Sequence, residues 1–364
     1  MLAKLLMIPG PINFDHEVVR AMSKMTCSHV APEFREIFGD TLRRLREVFI
    51  SEGQPFVIAG SGTLAMEMAV TNVIQRGDKA LVVNNGVFGD RFVSIFKAHG
   101  IEVDQIRTEW GKAAAPAEIR EKLESDDYKV ITVTHIDTST GIANDLEAIG
   151  NVVNDFDTLY IVDAVCSLAG QRLYQDKYHV DICLTGSQKA LGVPPGLALL
   201  CFNQRALDTH AKLKQPVECF YTSIDNWMPI MEAYENNMPS YFATPAVNLI
   251  FALHESVKQI LAEGMEARFT RHEKLAAMMR RGLTDMDFKL VPENGCAANT
   301  MSAVYHNGID DVDFRGQLSH EGVIVAGGLG RLKGKIFRVG HMGSINENDV
   351  VATLGAIQRT LDLF

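Results

Sequence analysis

The chain has 364 residues, of which 47% are hydrophobic and 22% are charged, and its formal net charge is −10. This balance predicts a globular protein of about two domains with a substantial core. The acidic charge argues against nucleic acid as the main partner, and no apolar run reaches the roughly 18 residues needed to span a membrane.

Neither end of the chain carries an obvious targeting signal. The run Met1–Met7 is too short for a secretory signal, and the last residues, Leu361–Phe364, are not a Ser-Lys-Leu peroxisomal address. We therefore expect a cytoplasmic protein. No Cys-x-x-Cys pair occurs, so free thiols are predicted, with no disulfide or metal site, for the six cysteines Cys27, Cys166, Cys183, Cys201, Cys219 and Cys296.

The predicted elements begin with an irregular arm, residues 1–14, because Pro9-Gly10-Pro11 bars regular structure. A mostly helical region follows, up to about Phe49. Short apolar strands then alternate with helices, which predicts an α/β fold with a mostly parallel, seven-stranded sheet between helices. The predicted strands are 56–59, 79–83, 101–106, 130–134, 159–162, 182–184 and 197–202. The predicted helices between them are 64–74, 90–99, 116–123 and 145–154.

The pattern changes after about residue 245. Two long helices, 245–263 and 266–283, are followed by short strands and a last helix, which predicts a smaller α+β domain. The short strands are expected near 288–291, 300–305, 323–325 and 336–339, and the last helix at 347–363. We expect an arm (1–14), a large domain (15–250) and a small domain (251–364).

Ligands of parallel sheets gather at the carboxyl ends of the strands, so the residues that follow each strand are the candidates for a site. Gly60-Ser61-Gly62-Thr63 opens a helix, where free N–H groups could cradle a phosphate. The alternative is a plain helix cap in a tight turn. Phe88 follows the next strand and could lie flat on a ligand ring; alternatively it is a core side chain.

Two further strand exits carry charged residues in apolar surroundings. Asp163 ends a central strand, and a buried acid needs a partner such as a protonated pyridine nitrogen, an N-cap or an internal ion pair. Lys189 lies between two buried strands, before the stiff Pro194-Pro-Gly196 turn. Burying an amine is costly unless it is used covalently, as in a Schiff base; the alternative is a surface lysine. Together these are the parts of a pyridoxal 5′-phosphate (PLP) site.

The chain resembles the class V aminotransferases of fold type I, and most closely the alanine–glyoxylate and serine–pyruvate group. The resemblance runs nearly end to end and rests on several motifs in order. These are Ile8-Pro-Gly-Pro11, Gly60-Ser-Gly-Thr63, Thr134-His-x-Asp-Thr-Ser-Thr-Gly141, Val162-Asp-Ala-Val-Cys-Ser167, Ser187-Gln-Lys189 with Pro194-Pro-Gly196, Tyr241-x-x-Thr244-Pro245 and Gly334-Lys-x-x-Arg338-x-Gly340.

The resemblance assigns roles at the centre of the site. Lys189 would form the Schiff base with PLP and carry the proton, and Asp163 would hold the pyridinium nitrogen. Phe88 stands where relatives often have tryptophan stacked on the ring. Arg338 would clamp the substrate carboxylate. The remaining assignments are the phosphate group (Ser61, Gly62, Thr63 and Gln188), the substrate pocket (Gly10 and Thr138, with Thr138 also near the cofactor) and contacts to the other subunit of a homodimer (Tyr241 and Thr244).

The implied reaction is a ping-pong transamination of alanine or serine with glyoxylate, giving pyruvate or hydroxypyruvate and glycine. No second arginine is evident for a distal carboxylate, which favours small neutral donors. The alternatives are a serine–pyruvate, serine–glyoxylate or broad aspartate-type aminotransferase. More distant are a desulfurase using Cys296, and a dehydrogenase, for which the required Gly-x-Gly-x-x-Gly turn is not found.

Overall fold

The computed structural model describes residues 4–293 and 295–363, so the outer ends of the predicted arm and small domain lie outside the described residues. No described helix is long and apolar enough to cross a membrane. The strands are β1 (Leu5–Leu6), β2 (Gln54–Ala59), β3 (Lys79–Asn84), β4 (Glu102–Arg107), β5 (Val130–Thr134), β6 (Ile136–Asp137), β7 (Ile142–Ala143), β8 (Leu159–Asp163), β9 (Ile182–Gly186), β10 (Leu197–Phe202), β11 (Met301–Tyr305), β12 (Val323–Ile324), β13 (Ala326–Gly327) and β14 (Ile336–Gly340).

Twelve helices are found in the described part of the chain, together with a short 3-10 helix at Gly330–Leu332. The helices are α1 (His16–Met22), α2 (Pro32–Phe49), α3 (Gly62–Thr71), α4 (Val87–Ala98), α5 (Pro116–Ser125), α6 (Leu146–Val153), α7 (Gln204–Ala211), α8 (Ile224–Glu235), α9 (Val247–Glu263), α10 (Met265–Asp285), α11 (Asp311–His320) and α12 (Glu347–Leu361).

A seven-stranded sheet lies at the centre, in the order β2-β10-β9-β8-β5-β3-β4. Every strand is parallel to the others except β10, which is antiparallel to both of its neighbours. Strands β5, β8, β9 and β10 are buried along their whole length, as their continuous apolar sequences predict. The predicted α/β fold with a mostly parallel, seven-stranded sheet is therefore confirmed.

The register of the sheet brings strand ends together. Asp163, the last residue of β8, lies beside Thr134 at the end of β5 and beside Leu184 near the end of β9. The residues that follow β5, β8 and β9 therefore share one edge of the sheet. Since β10 runs the opposite way, the loop from β9 to β10 also begins and ends at that edge.

Helix α2 shows how sequence pattern fixes the outer layer. It begins at Pro32, where the missing N–H costs nothing, and buries apolar side chains spaced three or four residues apart. That stripe packs on α9, which also covers α1. Helix α9 spans the expected domain boundary at residue 250, and its residues from Ile250 to Ile260 join the core of the large sheet. The boundary itself stays a prediction.

The C-terminal part contains a three-stranded antiparallel sheet, β11-β14-β13, packed with α10, α11 and α12. Its apolar core includes Met7 of the N-terminal arm. The prediction of a wholly irregular arm is wrong, because β1 pairs with β12 in parallel. Two residues of strand that find a partner over 300 positions away leave no local signal in the sequence.

Three other expectations need correction. Helices α7 and α8 are absent from the predicted elements; α7 is mostly polar, and Pro229 interrupts the pattern of α8. The strand expected at 288–291 is reduced to one bridge, between Leu290 and Val304. Helix α4 begins at Val87 instead of residue 90, which places Phe88 in its first turn.

Candidate active site

Lys189 lies in the tight loop that joins β9 to β10, and that loop is fixed by Ser187. The buried Ser187 hydroxyl donates to the carbonyl oxygen of Pro194 (2.8 Å) and accepts from the N–H of Leu197 (3.2 Å). One side chain thus ties together both ends of the turn. Lys189 is only 8% exposed, although its loop is a connection between strands. It is not the surface lysine of the alternative interpretation.

The N-terminal arm closes over this lysine. The Lys189 amine donates a hydrogen bond to the carbonyl oxygen of Pro9. Gly10 has a φ of +99°, and a Cβ there would contact Cδ of Lys189 and lie 2.7 Å from Cε and 2.9 Å from Nζ. The N–H of Ile12 donates to the carbonyl oxygen of Gln188 (3.3 Å). Burial lowers the pKa of the Lys189 amine from its ordinary value, and the nearby charge of Arg338 lowers it further.

Asp163 is a buried carboxylate at the end of β8. Burial raises its pKa to about 6, despite a hydrogen bond of 2.9 Å from the N–H of Val165 and the nearby charges of Arg91 and Lys189. Asp163 forms no salt bridge with any of the described residues, and the cations Arg91 and Lys189 act on it only through their charge. A buried acid without a direct cationic partner fits the protonated ring nitrogen of PLP, which would supply one.

Asp137 holds the segment that carries the candidate ring contact. Its carboxylate accepts hydrogen bonds from the N–H of Phe88 (3.0 Å) and from the N–H (2.9 Å) and hydroxyl (2.5 Å) of Ser139. Burial raises the pKa of Asp137 in spite of these bonds. The first turn of α4 is therefore attached to the residues that follow β5, and the half-buried Phe88 is held at this edge.

The candidate phosphate cradle is the N-terminus of α3. Ser61 precedes the helix, and its side chain makes no capping hydrogen bond. A Cβ on Gly62 would lie 2.8 Å from Cγ2 of Val165, so the helix approaches the residues after Asp163 closely. A Cβ on Gly186 would lie 2.9 Å from Oε1 of Gln188 and 3.2 Å from the nitrogen of Gly62. Gln188 and the first turn of α3 therefore meet, as a phosphate site requires.

Arg338 comes from β14 and approaches from the C-terminal sheet. It is 7% exposed, and its Nε and Nη1 donate to the carbonyl oxygens of Gly327 (2.8 Å) and Thr138 (2.9 Å). These two bonds fix the plane of the guanidinium group. A planar, fixed fork of donors suits the α-carboxylate of an amino acid.

Two predicted residues do not join this cluster. Tyr241 is 66% exposed and packs its ring against His29, with 5.2 Å between ring centroids, and Thr244 is also exposed. No contact found among the described residues links either one to Lys189 or Asp163. The other predicted site residues are brought together by the contacts above.

Two contributors to the site were missed in the prediction from sequence. The carbonyl group of Pro9 binds Lys189 but has no sequence signal, because any residue has a backbone carbonyl. Arg91 lies three residues after Phe88 in α4, and this spacing places both on one helix face. Its guanidinium carbon lies 4.7 Å from the centroid of the Phe88 ring.

The arrangement around Cys296 does not favour the desulfurase alternative. The half-buried thiol donates to the carbonyl oxygens of Gly111 (3.2 Å) and Glu293 (3.3 Å). Burial raises its pKa, which favours the neutral thiol over the thiolate that such chemistry needs.

Comparison with known proteins shows the family to which the chain belongs. The family model "Aminotransferase class-V" matches residues 15–334. An uncharacterized aminotransferase of Methanocaldococcus jannaschii is 44% identical, covering 98% of this chain and 92% of its own length. The alanine–glyoxylate aminotransferase 1 of Saccharomyces cerevisiae is 37% identical, with 93% and 91% covered. The crystal structure of ureidoglycine–glyoxylate aminotransferase from Bacillus subtilis superposes with a TM-score of 0.93 at 29% identity, covering 100% and 94%. The chain therefore belongs to the class V aminotransferase family, which has fold type I and depends on pyridoxal phosphate.

Proposed function

We propose that this aminotransferase binds PLP through Lys189 and transfers the amine of alanine or serine to glyoxylate. The products are pyruvate or hydroxypyruvate and glycine. The observation that carries the proposal is the convergence, at one edge of the sheet, of a buried amine, a fixed arginine and a buried acid that forms no salt bridge with a described residue. The amine suits the carbonyl group of PLP, the acid suits its protonated ring nitrogen, and the arginine suits the carboxylate of the substrate.

Bound PLP supplies an electron sink that stabilises negative charge at the substrate Cα. Lys189 would hold the cofactor covalently, and its free amine would accept the proton from the substrate Cα. Its amine must be neutral for this work, and burial favours the neutral form. Asp163 would keep the ring nitrogen of the cofactor protonated, and Arg338 would bind the substrate carboxylate so that Cα faces the Lys189 amine. The arm residues Pro9 and Gly10 cover Lys189 and exclude water from it.

The substrate pair rests on two further observations. The yeast and Bacillus relatives differ in the amino donor of their names, but both are named for glyoxylate. The arginine whose charge acts on Asp163 is Arg91, and its guanidinium group donates a hydrogen bond to Thr63 of α3. This supports a small neutral donor, because that arginine is engaged on the phosphate side of the site. An aspartate-type or serine–pyruvate enzyme is the alternative.

We further propose a homodimer in which Tyr241 and Thr244 of each chain reach the phosphate in the other. Exposed aromatic side chains support this arrangement. Phe220 is 75% exposed and packs on Phe242 (5.4 Å between centroids), close to Tyr221, which is 40% exposed. Large apolar groups of this kind, side by side at a surface, are typical of a protein interface.

Absorption spectroscopy tests the cofactor assignment. The purified protein with PLP should show a visible band near ~420 nm that Lys189→Ala abolishes and Lys212→Ala, at an exposed lysine, leaves intact. A protein that stays colourless after reconstitution contradicts the proposal. Activity assays with alanine, serine and aspartate, each paired with glyoxylate and with pyruvate, then decide the substrates.

Sedimentation velocity tests the dimer. The Phe220→Asp substitution is expected to shift the protein toward monomer.

A further inference from the structure

Arg91 contacts or acts on three parts of the candidate site. Its Nη1 donates to the hydroxyl of Thr63 in the first turn of α3 (3.0 Å). Its guanidinium carbon lies over the ring of Phe88, 4.7 Å from the centroid. Its charge also reaches Asp163, whose pKa it lowers. The half-buried guanidinium group of Arg91 therefore contacts both the candidate phosphate cradle and Phe88, and its charge acts on Asp163.

The cradle itself needs a cation. The residues assigned to the phosphate, Ser61, Gly62, Thr63 and Gln188, are all neutral, as are Tyr241 and Thr244. A helix N-terminus contributes only about half an elementary charge, whereas a phosphate monoester carries nearly two negative charges at pH 7. Among the described residues, Arg91 is the cation bonded to this group.

We propose that Arg91 is a cofactor-binding residue whose guanidinium group provides the counter-charge of the PLP phosphate and holds Phe88 against the ring. The inference rests on the proposed function. Arginine suits both tasks, because its planar group stacks on an aromatic face while its edges donate hydrogen bonds. Nη1 is used by Thr63, and the other guanidinium nitrogens donate to no residue that the structure describes, so they are available to the phosphate.

If Arg91 only links α3 to α4, its replacement should affect the binding of ligands with and without a phosphate group equally. The two roles separate when the full chain, stripped of cofactor, is titrated with PLP and with pyridoxal, which lacks the phosphate. Binding is followed by absorbance and by quenching of tryptophan fluorescence. Arg91→Ala should weaken PLP binding roughly 10- to 100-fold and pyridoxal binding by less than about 3-fold. Arg91→Lys, which keeps the charge but not the fork, should lie between.

Arg107→Ala is the matched control. Arg107, the last residue of β4, forms a salt bridge with Asp90 of α4. Its replacement therefore removes a cation close to Arg91 without affecting the hydrogen bond to Thr63. Its PLP and pyridoxal affinities should both match those of the wild type. If Arg91→Ala does not fold, Arg91→Gln and Arg91→Lys provide the same comparison.

Equal weakening of PLP and pyridoxal in the Arg91 variants would overturn the inference and leave Arg91 a structural tie. In that case the wild type still shows the Lys189-dependent band, so the proposed function stands. A wild-type protein that binds neither compound overturns the proposed function itself. The two failures are therefore distinguishable.

Discussion

Replacing Gly10 with alanine tests whether the arm sets the position of the Lys189 amine. At a φ of +99°, an L-residue costs about 1–2 kcal/mol of unfolding free energy. The new Cβ would also lie 2.7 Å from Cε of Lys189, where an ordinary contact is about 3.5–4.0 Å, so the lysine must move by roughly 1 Å. A displacement of that size can cost about 100-fold in rate. We expect kcat of Gly10→Ala to fall by that factor.

Gly77→Ala supplies the matched control, because Gly77 has nearly the same φ, +96°, but a Cβ there would meet no other atom within 4 Å. Both variants should lose similar unfolding free energy, measured by chemical denaturation. Only Gly10→Ala should show the roughly 100-fold lower kcat. If the two variants keep kcat within about 3-fold of each other, the contact at Gly10 does not position Lys189.

Three other substitutions have expected outcomes. Asp163→Asn should stabilise the cofactor-free protein at high pH. The carboxyl of the folded wild type has a pKa of about 6 against an ordinary 3.8, so the unfolding free energy of the wild type falls by about 3 kcal/mol as pH rises through that window. Thermal unfolding should therefore show the variant to be more stable than the wild type above pH 6 and equally stable near pH 3.8. A stability difference that does not change with pH contradicts this expectation. Arg338→Lys should lower kcat/KM for the donor roughly 10- to 100-fold while the PLP spectrum is unchanged; an altered spectrum with normal kinetics opposes this assignment. Ser187→Ala should cost about 1–3 kcal/mol in denaturant titrations, because it leaves Leu197 N–H without its partner, whereas exposed Ser125→Ala should cost little.

The central sheet could be predicted because its strands carry local signals. Runs such as Val130–Thr134 and Leu159–Asp163 are short, apolar and β-branched, and the residues at their carboxyl ends could be assigned to one edge by topology alone. The convergence of Lys189, Asp163 and the α3 N-terminus follows from that edge. Their roles toward PLP remain proposals.

What could not be predicted depends on contacts between distant parts of the chain. The hydrogen bond from Lys189 to Pro9 and the pairing of Leu5–Leu6 with β12 have no local pattern, since backbone groups are the same in every residue. The same holds for Arg338, whose orientation comes from the carbonyl groups of Gly327 and Thr138. Sequence motifs identified Arg338 but not the hydrogen bonds that orient its guanidinium group.

The pairing of the arm has a consequence for the order of synthesis. Leu5–Leu6 are synthesised more than 300 residues before their partner strand, Val323–Ile324. The N–H of Gly340, which donates to Met7, comes later still. At about 5–20 residues per second the arm waits on the order of tens of seconds for its partners. All strands of the large sheet are made before β12, whereas the arm that covers Lys189 finds its partner strand only after β12 has been made.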